Sequence, residues 1–348
     1  MATSSRPVVY AQFHGEDALA RIDPLQWRAA GIDGLVVRVF RNQSDHGGLL
    51  FENPEFRVIK PMLSSLVQRS QSSGASIWAW MIARRFDWVE DPRFLDCVFR
   101  SGRLETIRSL DLFNPDAVKR VLAVYRQLAQ SGISGILIQD DLIIRNREGL
   151  SSWGRARYVL ESGTPAHIPS MLRRGSSDHA AWIDTKTRRV CEVLTGIVKS
   201  CKSVNPDIRI GLNLYYETPL DSVQSREWYA HDLDLLLTSG VDRVFLMAYH
   251  RQMAAELNLT FESSLELFSR LVKAAAAVCG EKLVVKIQWR DWQSDEWIPD
   301  AEMDAVLDRL PAQVNRVCLT PVAAEDLPRM RRLLARRGWR ILPAEAGQ

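Results

Sequence analysis

The 348-residue sequence has little cysteine: five residues (Cys97, Cys191, Cys201, Cys279 and Cys318), with no CxxC pair. An odd, scattered set excludes a disulfide framework and argues against a thiolate zinc centre. Four of the five fall in apolar helix or strand patterns and are expected to be buried free thiols. Long apolar runs are also lacking. No stretch approaches the roughly 18 consecutive apolar residues of a membrane span, and the opening MATSSRPVVYAQF has neither the basic nor the long apolar region of a secretory signal. Nor is there an excess of one charge, since 45 basic and 42 acidic side chains leave +3. That excludes the concentrated positive charge of a nucleic-acid binder. No glycine-rich phosphate loop and no HxH or HExxH spacing occurs around His14, His46 or His250. Neither a nucleotide nor a metal is expected, and no cofactor is called for.

Hydrophobic residues make up 46% and charged residues 25%, the balance of a globular chain that buries a sizeable core without staples. Short apolar runs recur: Val8–Phe13, Gly34–Phe40, Ser76–Ala83, Gly135–Asp141, Arg209–Tyr216, Arg243–His250, Leu283–Arg290 and Arg316–Val322. Near-continuous hydrophobicity, without strict alternation, marks strands buried on both faces. Amphipathic stretches lie between them. The clearest is 114–132, where Asn114 can cap, Pro115 suits the first helical position, and Val118, Val121, Leu122, Tyr125 and Leu128 recur at helical spacing. Gly31, Gly74, Gly132, Gly240, Gly280 and Gly338 close such stretches, where a left-handed C-cap is expected.

Eight strands alternating with helices predict an α/β fold, a single (β/α)8 TIM barrel spanning residues 1–348. Successive strand starts are 26, 42, 59, 74, 34, 40 and 33 residues apart. The excess follows strands two, three and four, so three long strand-to-helix loops should wall the face where such barrels carry their active sites. An enzyme is the default for this architecture, although the fold alone does not name the reaction.

The sharpest chemical feature is Gln139-Asp140-Asp141, which closes an otherwise apolar run. Adjacent carboxylates at a barrel mouth repel, and burial raises at least one pKa, which separates one acid from one charged partner. The alternative is that one of them caps a segment or pairs with Arg145 or Arg147. Aromatics gather at the same rim: Trp78 and Trp80 on the third strand, Tyr215 and Tyr216 on the fifth, Tyr249 on the sixth, Trp289 and Trp292 on the seventh. Flat rings beside carboxylates suit sugars, while alternation lets only about half of them point inward. Arg38 and Arg41 could meet an anion or hydroxyls, or equally a loop acid. Glu217 is a candidate second carboxylate.

Several co-linear stretches together resemble a known family. They are VVRVFRNQSDHGGLLFEN (Val36–Asn53), SIWAWM (Ser76–Met81), the segment Leu112–Asp141 from LFNPDAV to GILIQDD, Asn213–Tyr216, SREWYAHDLDLL (Ser225–Leu236), FLMAY (Phe245–Tyr249) and KIQWRDW (Lys286–Trp292). In order and spread they are similar to the C-terminal glycoside hydrolase domain, glycoside hydrolase family 153, of bacterial poly-β-1,6-N-acetyl-D-glucosamine N-deacetylases. The resemblance implies an endo-acting hydrolase of that partly deacetylated biofilm exopolysaccharide, an endo-β-1,6-hexosaminidase, acting in the periplasm or outside the cell. It places catalysis on Asp140 and Asp141, and adds Asn213 to Arg38, Trp80, Tyr215, Tyr249, Trp289 and Trp292 as substrate-binding residues. Two departures stand out. Gln139 replaces the histidine that commonly precedes the aspartate pair, and the first strand ends Gln12-Phe13-His14-Gly15-Glu16-Asp17 in place of an aspartate-rich stretch. Those two acids would favour a cationic, deacetylated sugar. With no deacetylase segment in the sequence, no deacetylation is expected.

Neighbouring aspartates on one strand end do not straddle a glycosidic bond. They fit the substrate-assisted exception, in which the sugar's own acetamido oxygen attacks the anomeric carbon. On this reading Asp141 is the acid and Asp140 orients the acetamido group. Two further readings stay open: hydrolysis of another amino-sugar polymer, such as one containing galactosamine, and a non-catalytic barrel that binds polysaccharide. A polysaccharide is the expected partner in each, without nucleic acid or a membrane span, and the oligomeric state is not legible.

Overall fold

A strand covered on both faces needs apolar residues at successive positions, and the eight runs do form the eight strands of a closed parallel barrel. The computed structural model describes residues 6–339. The strands are β1 (Val8–Phe13), β2 (Gly34–Arg38), β3 (Ser76–Met81), β4 (Gly135–Ile138), β5 (Arg209–Leu214), β6 (Arg243–Met247), β7 (Leu283–Gln288) and β8 (Arg316–Val322). Each lies beside its neighbours in sequence, and β1 closes the ring on β8 from Val8 opposite Arg316 to Phe13 opposite Val322. Six of the eight stop short of the apolar runs that announced them. The aspartate pair, for example, lies beyond β4, which ends at Ile138. Strand-like composition continues past the last ladder bond because residues such as Val39, Ile82, Ala83, Ala248 and Trp289 stay buried in the large core beneath the helices.

The barrel interior is filled by side chains. Tyr10, Trp78 and Phe245 meet edge to face, with centroids 5.7–5.8 Å apart, among Val36, Leu137, Val284 and Cys318. Two glycines make room for this plug. A Cβ at Gly135 would lie 2.5 Å from the Trp78 ring, and one at Gly211 would lie 2.7 Å from Phe245. The plug closes the barrel from below, so chemistry is confined to the mouth.

The outward residues of the strands, such as Val9, Leu35, Ile77 and Ile210, join the larger core beneath the helices. The helix Pro115–Ala129 begins as its sequence dictates: the Asn114 carboxamide accepts from the amides of Asp116 (2.9 Å) and Ala117 (3.3 Å). Its buried Tyr125 then donates to the Met81 and Ile82 carbonyls at 3.1 Å, which pins the end of β3. Gly132 follows at φ 79°, and the five other helix-closing glycines also have positive φ. The five cysteines are free thiols, four buried and Cys97 half-buried.

The three long loops follow β2, β3 and β4. The first folds into a small ribbon, Phe40–Arg41 with Gly48–Leu49. The second carries an antiparallel hairpin, Leu95–Arg100 with Arg103–Leu110. The third leads into the helices Ser152–Ser162, Ile168–Met171 and Ser177–Lys202. Among the described residues no helix is long and apolar enough to cross a membrane.

Candidate active site

The site begins with lone polar residues inside apolar strand runs. Gln12 of β1, Asn213 of β5 and Lys286 of β7 share the inward parity of the aromatic plug and rise one step above it. All three are buried. The Lys286 ammonium donates to the Asn213 carboxamide oxygen at 2.9 Å, and burial pulls the lysine down to about 8. Both polar atoms of the Gln12 carboxamide, Oε1 of Gln139 and Nε1 of Trp80 are buried without a protein partner. Groups of this kind ordinarily have one, and here they surround a concave polar floor.

A cavity of about 270 Å³ lies above that floor, with His14, Trp80, Asp140, Tyr215, Tyr249 and Trp292 among its walls. The rings are close to one another: His14 to Trp80 4.7 Å, His14 to Trp292 5.4 Å and Tyr249 to Trp292 5.5 Å between centroids. Nε2 of His14 lies 2.9 Å from the Thr320 hydroxyl. Burial, with the positive charges of Lys286 and Arg38, pulls the imidazole down to about 3, so it is neutral at pH 7.

The two aspartates part company. The Asp141 carboxylate accepts the backbone amides of Ala83 (2.9 Å), Arg84 (2.8 Å) and Arg85 (2.7 Å) and is 4% exposed. It ties the segment after β4 to the segment after β3. Burial pushes its carboxyl up against the opposing pull of those three amides, and the Asp140 charge adds to the rise. Asp140 instead lines the central cavity, and its carboxylate accepts from the Tyr215 hydroxyl at 3.2 Å. Among the described residues it is the only carboxylate in that cavity wall.

The surroundings brace this loop. The Tyr215 ring lies flat on Tyr229, 4.2 Å between centroids and 6° between planes. The His231 imidazole donates through Nε2 to the Leu142 carbonyl at 3.0 Å, and burial pulls it down to about 4. The ammonium of buried Lys186 reaches the carbonyls of Arg145 (3.2 Å) and Glu227 (3.3 Å). None of Tyr229, His231 and Lys186 was read as functional from the sequence. Tyr229 and His231 do fall in the SREWYAHDLDLL stretch, and Lys186 is a lone cation on an apolar helix face.

Of the residues expected to bind substrate, Trp80, Asn213, Tyr215, Tyr249 and Trp292 come together at the central cavity. Arg38 lies in an adjoining cavity of about 540 Å³ beside Glu16 and Arg41, with its guanidinium 4.5 Å from the Phe40 ring centre. Trp289 is misassigned: it points outward, 1% exposed, under the Arg329 guanidinium. Its position in β7's continuation gives it the opposite parity to Lys286 and Gln288. Trp78 belongs to the plug. Glu217 accepts from the Tyr229 hydroxyl at 2.9 Å and is not in the cavity wall. Glu16 and Asp17 are paired with Arg41 and Arg21, so they do not offer the free negative charge expected of them. Among the described residues no three His, Cys, Asp or Glu side chains cluster as metal ligands would.

Residues 49–316 match the model of a family described as hypothetical glycosyl hydrolase family 13. The chain belongs to that family. This glycosyl hydrolase is also similar in structure to the PgaB (BpsB) glycoside hydrolase domain from Bordetella bronchiseptica, with a TM-score of 0.77 and 19% identity over 94% of this chain and 98% of that one. That likeness agrees with the resemblance read from the sequence. The catalytic domain of a β-amylase from Paenibacillus polymyxa superposes with a TM-score of 0.62 at 9% identity, over 97% of this chain and 100% of that one. A β-galactosidase from the psychrophilic Marinomonas ef1 gives 0.63 at 10% identity, over 96% and 61%. At these identities the likenesses speak to the fold. Sequence comparison with curated proteins gives no match.

Proposed function

We propose that this glycosyl hydrolase cleaves partly deacetylated poly-β-1,6-N-acetyl-D-glucosamine within the chain, with Asp140 as the acid and the sugar's own acetamido group as the nucleophile. One observation carries the reading: Asp140 is the only carboxylate, among the described residues, in the wall of the central cavity. Two-carboxylate glycosidases need a partner about 5–5.5 Å or 6.5–9.5 Å away across the bond. The neighbouring Asp141 is engaged by three backbone amides and acts as a staple. A 2-acetamido sugar supplies the missing nucleophile itself. Its carbonyl oxygen bonds to C1, the glycosidic C1–O bond breaks, and Asp140 gives its proton to the leaving oxygen. Water's oxygen then bonds to C1 as the bond between C1 and the acetamido oxygen breaks, which restores the acetamido group, and water's proton goes to Asp140. This moves the acid from Asp141, expected from the sequence, to Asp140 and leaves Asp141 a structural role, because a carboxyl held by three donors is poorly placed to transfer a proton.

The rest of the mouth suits that substrate. Trp80, Tyr249 and Trp292 offer apolar faces to sugar C–H surfaces. The Asn213–Lys286 pair and the unpartnered carboxamides of Gln12 and Gln139 offer polar contacts to hydroxyl and acetamido groups. A polymer of this kind is an extracellular material, so the enzyme would work in the periplasm or outside the cell.

The test is digestion of the partly deacetylated polymer with products read by mass spectrometry. Wild type should release short oligosaccharides, and Asp140→Asn should lose about 10²–10⁴-fold in rate, the usual worth of a general acid, with its melting temperature unchanged. Asp141→Asn should melt several degrees lower, from weakened charge-assisted bonds, yet still cleave below that temperature. No products from wild type, with cleavage of a galactosamine polymer, would replace the substrate. Binding without cleavage of either polymer would leave a binding barrel.

A further inference from the structure

From the central cavity a second one of about 430 Å³ continues past Gln139, Asp140 and Tyr215 toward the hairpin. Arg85, Arg100, Arg108 and Arg145 line it, from three separate places in the chain: the end of the β3 segment, the two hairpin strands and the segment after β4. All four are exposed, and among the described residues none is in an ion pair. The acids nearby are largely engaged. Asp141 is held by amides, and Glu148 is held at 2.5 Å by Arg84, which also pairs with Asp96 at the buried base of the arm. Facing the four free cations are Asp87 and the proposed acid, Asp140.

Four guanidinium groups facing two carboxylates in one groove leave an excess of positive charge that favours a further anion among them, and the planar fork of arginine matches a carboxylate in bidentate fashion. We propose that this arm binds an acidic substituent on the polysaccharide, on one side of the bond that Asp140 cleaves. The substrate is then the proposed poly-β-1,6-N-acetyl-D-glucosamine bearing acidic substituents beside its acetamido groups and free amines, and a fully cationic, deacetylated stretch is excluded from this arm. The inference rests on the reading of Asp140 as the site of cleavage, because that reading places the arm alongside the scissile bond.

The test uses Asp140→Asn protein, so that binding is read without turnover. The probe is one β-1,6-linked glucosamine oligomer in four forms: free amines, fully N-acetylated, partly glutarylated to add carboxylates, and partly N-sulfated. The glutarylated form should bind about tenfold more tightly than the neutral one, an advantage lost between about 0.05 and 0.5 M salt. Adding Arg100→Gln and Arg108→Gln, both on an exposed hairpin, should remove that advantage and leave affinity for the neutral oligomer within about twofold. Tighter binding of the N-sulfated than of the glutarylated form would identify the acidic group as a sulfate ester or amide instead. Equal affinity for neutral and acidic forms, or a preference for free amines, overturns the proposal. The two readings fail separately. Cleavage of the neutral polymer without acidic preference sinks only the arm, and acidic preference without cleavage of any form sinks only the catalytic reading.

Discussion

His231 shows how much a single buried side chain can hold in place. Its Nε2–H donates to the Leu142 carbonyl immediately after the aspartate pair, and its Nδ1 has no protein partner. Burial pulls it down to about 4, below its ordinary value of about 6.5. Between those values the unfolded chain takes up a proton that the folded chain refuses. The stability from keeping the imidazole neutral is therefore fully present above about pH 6.5 and is lost as pH falls toward 4. Urea unfolding at pH 7 and pH 4.5 should show this as about 2 kcal/mol of the acid loss. His231→Gln keeps a donor near the Leu142 carbonyl and does not titrate, so its acid loss should be smaller by that amount. An identical pH dependence in variant and wild type would mean that His231 is protonated in the folded protein. At this same scale the sequence was most and least informative. The aspartate pair marked the rim of the mouth, whereas Gln12 and Lys286, lone polar residues inside apolar runs, went unread as its floor. Which aspartate faces the cavity depends on the amides of Ala83, Arg84 and Arg85, more than fifty residues away, and no local pattern carries that.

The elements were legible because a parallel barrel buries both faces of each strand, which leaves eight apolar runs separated by capped helices. The same burial hides which face is which. Trp289 and Trp292 look equivalent in the sequence, yet one packs outward beneath Arg329 and the other edges the mouth. The hairpin Leu95–Arg100 with Arg103–Leu110 went unread, because its exposed strands carry charged residues and lack the apolar run of a barrel strand. Inside the barrel the register is set by fit. Gly135 faces the Trp78 ring, and a Cβ there would come within 2.5 Å of it. Overpacking of this kind costs about 1–3 kcal/mol, so Gly135→Ala should lower the melting temperature by several degrees in calorimetry. An unchanged melting temperature would show that the tryptophan can shift, and that the plug beneath the site is softer than its edge-to-face contacts imply.

At the scale of the whole molecule, the shape of the mouth bears on how a polymer is cut. The central cavity shares His14 with the Arg38 arm on one side, and Gln139, Asp140 and Tyr215 with the arginine-lined arm on the other. Asp140 thus lies along a groove with a continuation at each end, where a pocket closed at one end would accept only a chain terminus. The two arms draw on the long loops after β2, β3 and β4, with the segment after β1 beside Arg38. Tyr215, Tyr249 and Trp292 come from the segments after β5, β6 and β7, and together these turn the barrel mouth into a trough. A trough of this form predicts internal cleavage. In a time course on the exopolysaccharide, size-exclusion chromatography should show mean chain length collapsing while less than about a tenth of the reducing ends have been released, because random internal cuts halve a long chain with few events. Single sugars should be absent from the earliest samples. Their appearance from the first time point, with the remaining polymer still near full length, would mean that one arm is closed during turnover and that the enzyme works from an end.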